Sequence, residues 1–306
     1  MCDHSEQPVV PMTNRIIEIS DTPARLRTDL GRLAIEVTGQ QPVFIPMRDV
    51  AAIVVSNPAV TLSQSVLVEL AREGGVFVAM SAQFLPTAMM LPLDSHSTQT
   101  ARMAKQAQAS EPTKKRAWQV IVRAKVRAQW ALLQTLGRPE TGLDDLLRRV
   151  QSGDPENIEA QAASRYWRAL FGAAFRRDRD ASDQNRLLNY GYAVLRAATA
   201  RAICGVGLHP SLGVQHHNQY NPFCLADDLM EPYRPLVDRV VVDIMLRAGP
   251  HVEMSQPIRG ELISALLDRH SVRGENRTLF DLLTRSASSC ARVLTGEERD
   301  LDLWVP

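Results

Sequence analysis

The feature that most narrows the fold is a change of hydrophobic period part-way along the chain. Up to about residue 93 the apolar residues come in short, β-branched runs. Arg15–Ile19 (RIIEI), Arg32–Val37 (RLAIEV), Val43–Pro46 (VFIP), Val50–Val55 (VAAIVV), Val76–Met80 (VFVAM) and Ala88–Leu93 (AMMLPL) read as strands. A turn at Gly39–Gln41 makes the second and third a hairpin. Only Ser63–Arg72, closed by Gly74 and Gly75, has helical spacing there. From Lys114 onward every strong pattern is helical: Lys114–Leu136, Leu143–Val150, Pro155–Phe175, Asn185–Ile203, Pro235–Arg247, Pro257–Arg269 and Thr278–Leu294. Such a chain is expected to be α+β, a small N-terminal β-rich domain followed by a larger all-α domain. The expected divisions are a disordered leader at 1–14, the β-rich domain at 15–93, a polar linker at 94–113, the helical domain at 114–297 and a peripheral tail at 298–306.

Composition excludes several classes. The chain has 306 residues, enough for two domains, and its 45% hydrophobic and 23% charged content is that of an ordinary soluble protein. A formal net charge of +1 gives no global attraction to nucleic acid, so any DNA contact must come from local basic patches. The four cysteines form no CxxC pair, which argues against a zinc knuckle or a disulfide framework and fits a reducing cytoplasm. The N-terminus lacks the charged and apolar regions of a signal peptide, and no apolar run is long enough to span a membrane.

Chemistry concentrates in Gly205–Pro235, GVGLHPSLGVQHHNQYNPFCLADDLMEPYRP. Glycines and prolines make its first half a loop. Asn221 as N-cap and Pro222 at the first helical position are expected to start a helix. Asp228 and Glu231, three apart, then share a helical face, and His216 and His217 arrive from the loop. A histidine nitrogen with two carboxylates is a divalent-metal set, and its oxygen content favours magnesium or manganese over structural zinc. A plainer reading stands beside it: acids in a first helical turn oppose the macrodipole, Glu231 and Arg234 form a surface ion pair, and adjacent loop histidines are solvated.

Two more stretches hold candidates. Glu159 lies among the small residues Ala160, Ala162 and Ala163, with Tyr166 seven positions on and on nearly the same face. Close backbone approach to a ligand and simple helix packing both explain this. The run Lys114, Lys115, Arg116, Arg123, Lys125 and Arg127 is either a solvated face or a track for a phosphate backbone.

Taken in order, FLPTAMM (Phe84–Met90), NIEAQAASRYW, NRLLNYGYAVL (Asn185–Leu195) and GLHPSLGVQHHNQYNPFCLADDLMEPYRP resemble the integrase family of CRISPR adaptation, Cas-one, over about Arg15–Thr295. The LPTAM string and the HHNQYN loop are most similar to the branch that accompanies Cas-nine effectors. The resemblance implies a metal-dependent DNA integrase and endonuclease, inserting short foreign fragments into a CRISPR array by attack of a 3′ hydroxyl on a phosphodiester at the repeat edge. It implies Glu159, His216 and Glu231 as catalytic ligands of magnesium or manganese, with Asp228 as an extra ligand or a supporting group. Glu231 stands where many relatives have aspartate, so the ion sits differently by one methylene. His209 and His217 match no ligand position. Arg165, Tyr166, Arg234 and the basic run are its candidate DNA contacts. The implied partners are prespacer and leader-repeat DNA, a second copy of the chain joined through the β-rich domain, and a Cas-two dimer, with Cas-nine as a further candidate; whether it or another factor selects the fragments is left open. A nuclease without joining activity and a non-catalytic scaffold are the competing readings; the intact Glu159, His216 and Glu231 argue against the second.

Overall fold

The computed structural model describes residues 14–306 apart from 82, 93–94, 139–140, 179, 182 and 250. The leader up to residue 13 and the end of the Ala88–Leu93 run lie outside the described residues.

The first strand, β1 (Arg15–Ile19), is followed by a meander of β2 (Arg25–Asp29), β3 (Arg32–Glu36) and β4 (Val43–Pro46). A short 3-10 turn leads into β5 (Val50–Val55); β6 (Thr61–Leu62), α1 (Gln64–Arg72), β7 (Val76–Met80) and β8 (Pro86–Met90) complete the region. Two four-stranded sheets result, in the orders β1-β5-β7-β8 and β4-β3-β2-β6. Strands β1, β5 and β7 run parallel, and β8 is antiparallel to β7. The sequence pattern gave no sign of β2, because RLRTD offers a single apolar residue. Its turn into β3 carries the signal instead: Leu30 and Gly31 both have positive φ, 47° and 74°, the requirement of a two-residue type I′ hairpin.

All six residues of β5 are buried, since its sheet is covered on both faces. Ala52 and Val54 belong to the core shared with the helices, and Ile53 and Val55 to the core shared with the second sheet and α1. The β-rich part and the helical part are thus joined through the parallel strands of this sheet, β5 at their centre with β1 and β7 beside it.

The helical part comprises α2 (Gln99–Ala107), α3 (Glu111–Thr135), α4 (Leu143–Arg149), α5 (Ile158–Phe171), α6 (Asn185–Gly205), α7 (Cys224–Met230), α8 (Arg234–Ala248), α9 (Gln256–Leu267) and α10 (Leu279–Leu294). The segment read as a linker contains α2. Its polar sequence is explained by Gln106, which is buried and binds the loop after α6: Nε2 donates to the carbonyls of His209 and Leu212, each at 2.9 Å, and Oε1 accepts from the His209 N–H at 2.8 Å. Helix α6 is the spine of the region. Gly191 lets α8 press against it, for a Cβ there would lie 2.4 Å from Val237 Cγ1.

Two features correct the sequence reading. A hairpin, β9 (Arg269–Val272) and β10 (Glu275–Thr278), interrupts the helices where an all-helical stretch was expected. Its strands are polar, and only the positive φ of Arg273 and Gly274 marks the turn. The tail is not peripheral. Leu301 is buried, and the Trp304 ring lies between the guanidinium groups of Arg273 and Arg285, at 4.6 and 4.4 Å. The Trp304 N–H donates to Ser286 Oγ, while its carbonyl accepts from the Tyr233 hydroxyl. Among the described residues no helix is long and apolar enough to cross a membrane.

Arg259 of α9 ties the two parts together electrostatically. It is 1% exposed, and it donates from Nε to Glu18 Oε1 of β1 at 2.8 Å and from Nη2 to Asp21 Oδ2 at 2.5 Å. Removing one partner of a buried pair leaves the other charge uncompensated. Arg259→Met is expected to lower stability by about 3 kcal/mol, read as a shift in the urea midpoint, and Asp21→Asn, at an exposed partner, by less than about 1 kcal/mol.

Candidate active site

The site lies where α3, α5, the loop after α6 and the 3-10 turn Glu231–Tyr233 meet. Glu159 sits in the first turn of α5. That start is fixed by Asp154, whose carboxylate accepts the N–H groups of Ile158 at 2.8 Å and Glu159 at 2.9 Å. Glu231 follows the end of α7, where Pro232 and Pro235 interrupt the ladder between α7 and α8. The helix expected to start at Asn221–Pro222 begins instead at Cys224. Asn221 makes an Asx turn, accepting from the Phe223 N–H at 3.0 Å and donating to Asp227 Oδ2 at 2.7 Å.

Glu159 and Glu231 meet at one atom. Lys125 Nζ of α3 contacts Glu159 Oε1 and lies 2.6 Å from Glu231 Oε2. This corrects the reading of Lys125 as one cation of a solvated basic face: its side chain is 8% exposed and belongs to the acidic pair. Arg234 completes the set, with Nη2 3.0 Å from Glu231 Oε1, so the ion pair foreseen between them exists but is not a surface one. Burial alone would raise the Glu231 carboxyl. Arg234 and Lys125 outweigh it and hold the group below the usual carboxylate range. Burial would likewise lower the Lys125 ammonium, and Glu231 and Glu159 reverse the sign.

Asp228 is fully buried and faces the loop, not Glu231. Its Oδ2 accepts from the N–H groups of Val214 at 2.7 Å and Gln215 at 3.0 Å, while Oδ1 accepts from the His216 N–H at 3.3 Å and pairs with His216 Nδ1 at 2.6 Å. Gly213 permits this wrap. A Cβ there would come within 2.5 Å of the His216 carbonyl and 2.9 Å of Asp228 Oδ2. With Nδ1 engaged, the imidazole is left Nε2 for a ligand, and Trp118 of α3 packs edge-on against the ring. His217 and His209 are exposed loop residues.

Among the described residues no three side chains of the ligand types form a ready cluster for a metal ion. The donor chemistry nonetheless fits a hard divalent cation. Two carboxylate oxygens already share one cationic atom, Glu231 Oε2 is buried without an aligned hydrogen bond, and an imidazole is held by a carboxylate behind it.

The other expected contacts are scattered. Tyr166 is no DNA contact: it shares the Glu159 face of α5, but that face is core, and its hydroxyl donates to Asp238 Oδ2 at 2.7 Å. Arg165 is exposed and donates to the carbonyls of Thr141 and Gly142. Lys114 is half-buried beside Glu111, and Lys115 is exposed. Arg116 is half-buried and donates to Thr113 Oγ1. Arg123 and Arg127 lie on the opposite side of α3 from Lys125, in a cavity with Leu301 and Val305. The basic run is therefore not one stripe. The sequence reading missed a nearer basic group. Arg177 and Arg196 join Arg234, Tyr192 and Asn189 around a cavity of about 270 Å³. An arginine inside the otherwise apolar run YAVLRAATA was its signal.

The sequence matches the family profile "CRISPR associated protein Cas1" over residues 17–250. The chain belongs to the Cas1 family. It is 36% identical over 265 residues to the CRISPR-associated endonuclease Cas1 of Neisseria meningitidis serogroup C, covering 84% of this chain and 85% of that one. It is 32% identical over 238 residues to a Thermus thermophilus CRISPR-associated endonuclease Cas1, covering 73% of each. Among solved structures, a casposase bound to integration product aligns at a TM-score of 0.79 and 20% identity, over 94% of this chain and 92% of that one. A Cas1 protein from Thermotoga maritima aligns at 0.75 and 17%, over 94% and 99%. At those identities the likeness is one of fold, and the order of a β-rich region and a mostly helical one is the Cas1 order.

Two tests follow from this packing. Asp228→Asn is expected to lower the titration midpoint of His216, because the hydrogen bond to Asp228 chiefly raises it, with the Asp228 charge adding to the effect; histidine NMR titration reads the shift. Asp238, between the hydroxyls of Tyr166 and Tyr192, is pushed by burial to about 6 from an ordinary 3.8, against the pull of both hydrogen bonds and Arg234. Its folded value is raised, so its contribution to stability is full below about pH 4 and is lost as pH rises through about 6. Asp238→Asn is expected to flatten the decline of the urea midpoint across that window.

Proposed function

We propose that this Cas1-family chain is a metal-dependent DNA integrase and endonuclease that inserts short fragments into a CRISPR array. The observation that carries the reading is the meeting of Glu159 and Glu231 at one cationic position, with the His216 imidazole, oriented by Asp228, within reach of the Glu231 charge. Glu159, Glu231 and His216, through Nε2, are the residues that would hold magnesium or manganese. The ion, when bound, neutralises charge on the reacting phosphate and polarises it.

The chain's own residues supply the rest. Asp228 fixes the imidazole so that Nε2 presents its lone pair. Arg234, Arg196 and Arg177 offer guanidinium groups to phosphates on the α6 side, a role suited to their fork geometry. The reaction is an exchange of one phosphodiester for another: the oxygen of a 3′ hydroxyl bonds to phosphorus and gives up its proton, the bond from that phosphorus to the 3′ oxygen of the DNA flanking the repeat breaks, and that oxygen takes up a proton and leaves as a 3′ hydroxyl. No high-energy cofactor is required, and positioning and charge supply the catalysis. The same site serves a nuclease when water replaces the hydroxyl, and the relatives named endonucleases favour keeping that reading second.

The partners in this reading are prespacer duplex, leader-repeat DNA, a second copy of the chain through the β-rich domain, a Cas2 dimer and Cas9. A Cas6-RT-Cas1–Cas2 complex and an integration-product complex are among the solved structures that share the fold. Magnesium against manganese is decided by titrating each. The domain limits proposed are 15–93 for the β-rich part and, for the catalytic part, the helices from α2 onward together with the packed tail, wider than the 114–297 expected from the sequence.

The test is joining of a labelled short duplex to a plasmid carrying a leader and repeat, with Cas2 and divalent metal. Glu159→Ala, His216→Ala and Glu231→Ala are each expected to reduce joining by at least about a hundredfold with the fold retained. Asp228→Ala is expected to reduce it by about ten- to a hundredfold. Near-normal joining by two of the three ligand variants would overturn the site. Metal-dependent cutting without joined label would establish the nuclease.

A further inference from the structure

We infer that Lys125 is the built-in counter-cation of the Glu159–Glu231 pair and suppresses divalent-metal binding until DNA phosphate reaches the site. The inference rests on the metal-site reading above and adds a positioning residue to it. Its first basis is place. Lys125 is buried on α3, and its single ammonium contacts a carboxylate of α5 and a carboxylate of the turn after α7. It stands at the point a shared cation occupies.

Its second basis is charge. Glu159 and Glu231 carry two negative charges, and Lys125 and Arg234, in contact with them, carry two positive ones. Without a metal these four charges already sum to zero. Adding a divalent ion leaves two excess positive charges in a partly buried place, which low dielectric makes unfavourable. Two changes relieve that excess: the ammonium withdraws from the carboxylates, or negative charge enters. A DNA phosphate does both at once, since it brings charge and offers the displaced ammonium a new partner.

Its third basis is residue type. A lysine ammonium is a compact charge on a flexible four-carbon stem and can change partner by rotation. A guanidinium forked onto the same carboxylates is held by more bonds. Arg234 is held by Glu231 Oε1 and by the Tyr192 face at 4.8 Å, so of the two cations Lys125 is the one able to move. In DNA-free protein it keeps the two carboxylates drawn together and limits how tightly they take a metal. With DNA bound it becomes a phosphate contact in the site.

The test is Mn²⁺ binding to the full chain without DNA, read by the electron paramagnetic resonance signal of free Mn²⁺. Lys125→Gln is expected to bind Mn²⁺ at least about tenfold more tightly than the wild type, because a competing charge a few ångströms away is gone. Adding a short duplex is expected to tighten binding by the wild type and to change the variant little. Binding by Lys125→Gln equal to or weaker than wild type would overturn the inference, and a lysine with only a structural role gives that result. Should Lys125→Gln not fold, Lys125→Arg decides: affinity at or below wild type is expected, and tighter binding overturns the inference. Glu159→Ala and Glu231→Ala separate the two levels. If neither weakens Mn²⁺ binding, the metal site itself is wrong; if both do while Lys125→Gln binds no tighter, only the role of Lys125 falls.

Discussion

Two ionised carboxylates held together in a buried or half-buried place repel each other unless they share a proton or a positive charge lies between them. Here that charge is Lys125, with Arg234 on the far oxygen of Glu231. The requirement explains much of the helical part. Helix α3 must run past both α5 and the turn after α7 to deliver the ammonium. Asp154 must fix the first turn of α5 so that Glu159 faces inward. The break between α7 and α8 turns Glu231 back towards α3. The loop from Gly213 to His216 is folded around a separate buried carboxylate, Asp228, so the imidazole is aimed without using either member of the acidic pair.

The β-rich part supports this arrangement from behind. Strand β5 gives one face to the helical core and the other to the second sheet, and Arg259 adds a buried ionic tie from α9 to β1 and the residues after it. Helix α6, packed between β7 and the helices α7, α8 and α10, carries Tyr192 and Arg196 towards Arg234 and leads directly into the loop that holds His216. Position in the site is therefore inherited from the shared core, since helices and a helical turn carry every site residue except His216, which comes from the loop after α6.

Much of the fold was legible because period reports burial. The β5 run VAAIVV and the long apolar pattern of α6 are unambiguous, and their ends fell within a few residues of those expected. Elements without an apolar pattern escaped: β2, β9 and β10 are polar, and only pairs of residues with positive φ mark their turns. The polar α2 read as a linker because its key side chain, Gln106, is a buried hydrogen-bonding group, which composition does not distinguish from a solvated one. The site was legible unevenly. Resemblance singled out Glu159, His216 and Glu231, whereas spacing alone favoured helix packing as the explanation of Glu159. The pairing of Asp228 with His216 and the loop was open, because spacing fixes a helical face but not what that face meets. Lys125 was misjudged for a related reason. It belongs by sequence to a basic run, and only the three-dimensional path of α5 and α7 places carboxylates against it. Tyr166 shows the converse, where a correctly inferred shared face proved to be core.

The most direct measurement is the position of manganese in crystals of the protein bound to a short duplex, located by anomalous scattering. The account predicts one peak within ligand distance of Glu159, Glu231 and His216 Nε2, with the Lys125 ammonium moved from between the carboxylates onto a phosphate. An anomalous peak elsewhere, with Lys125 still bridging Glu159 and Glu231, would contradict it.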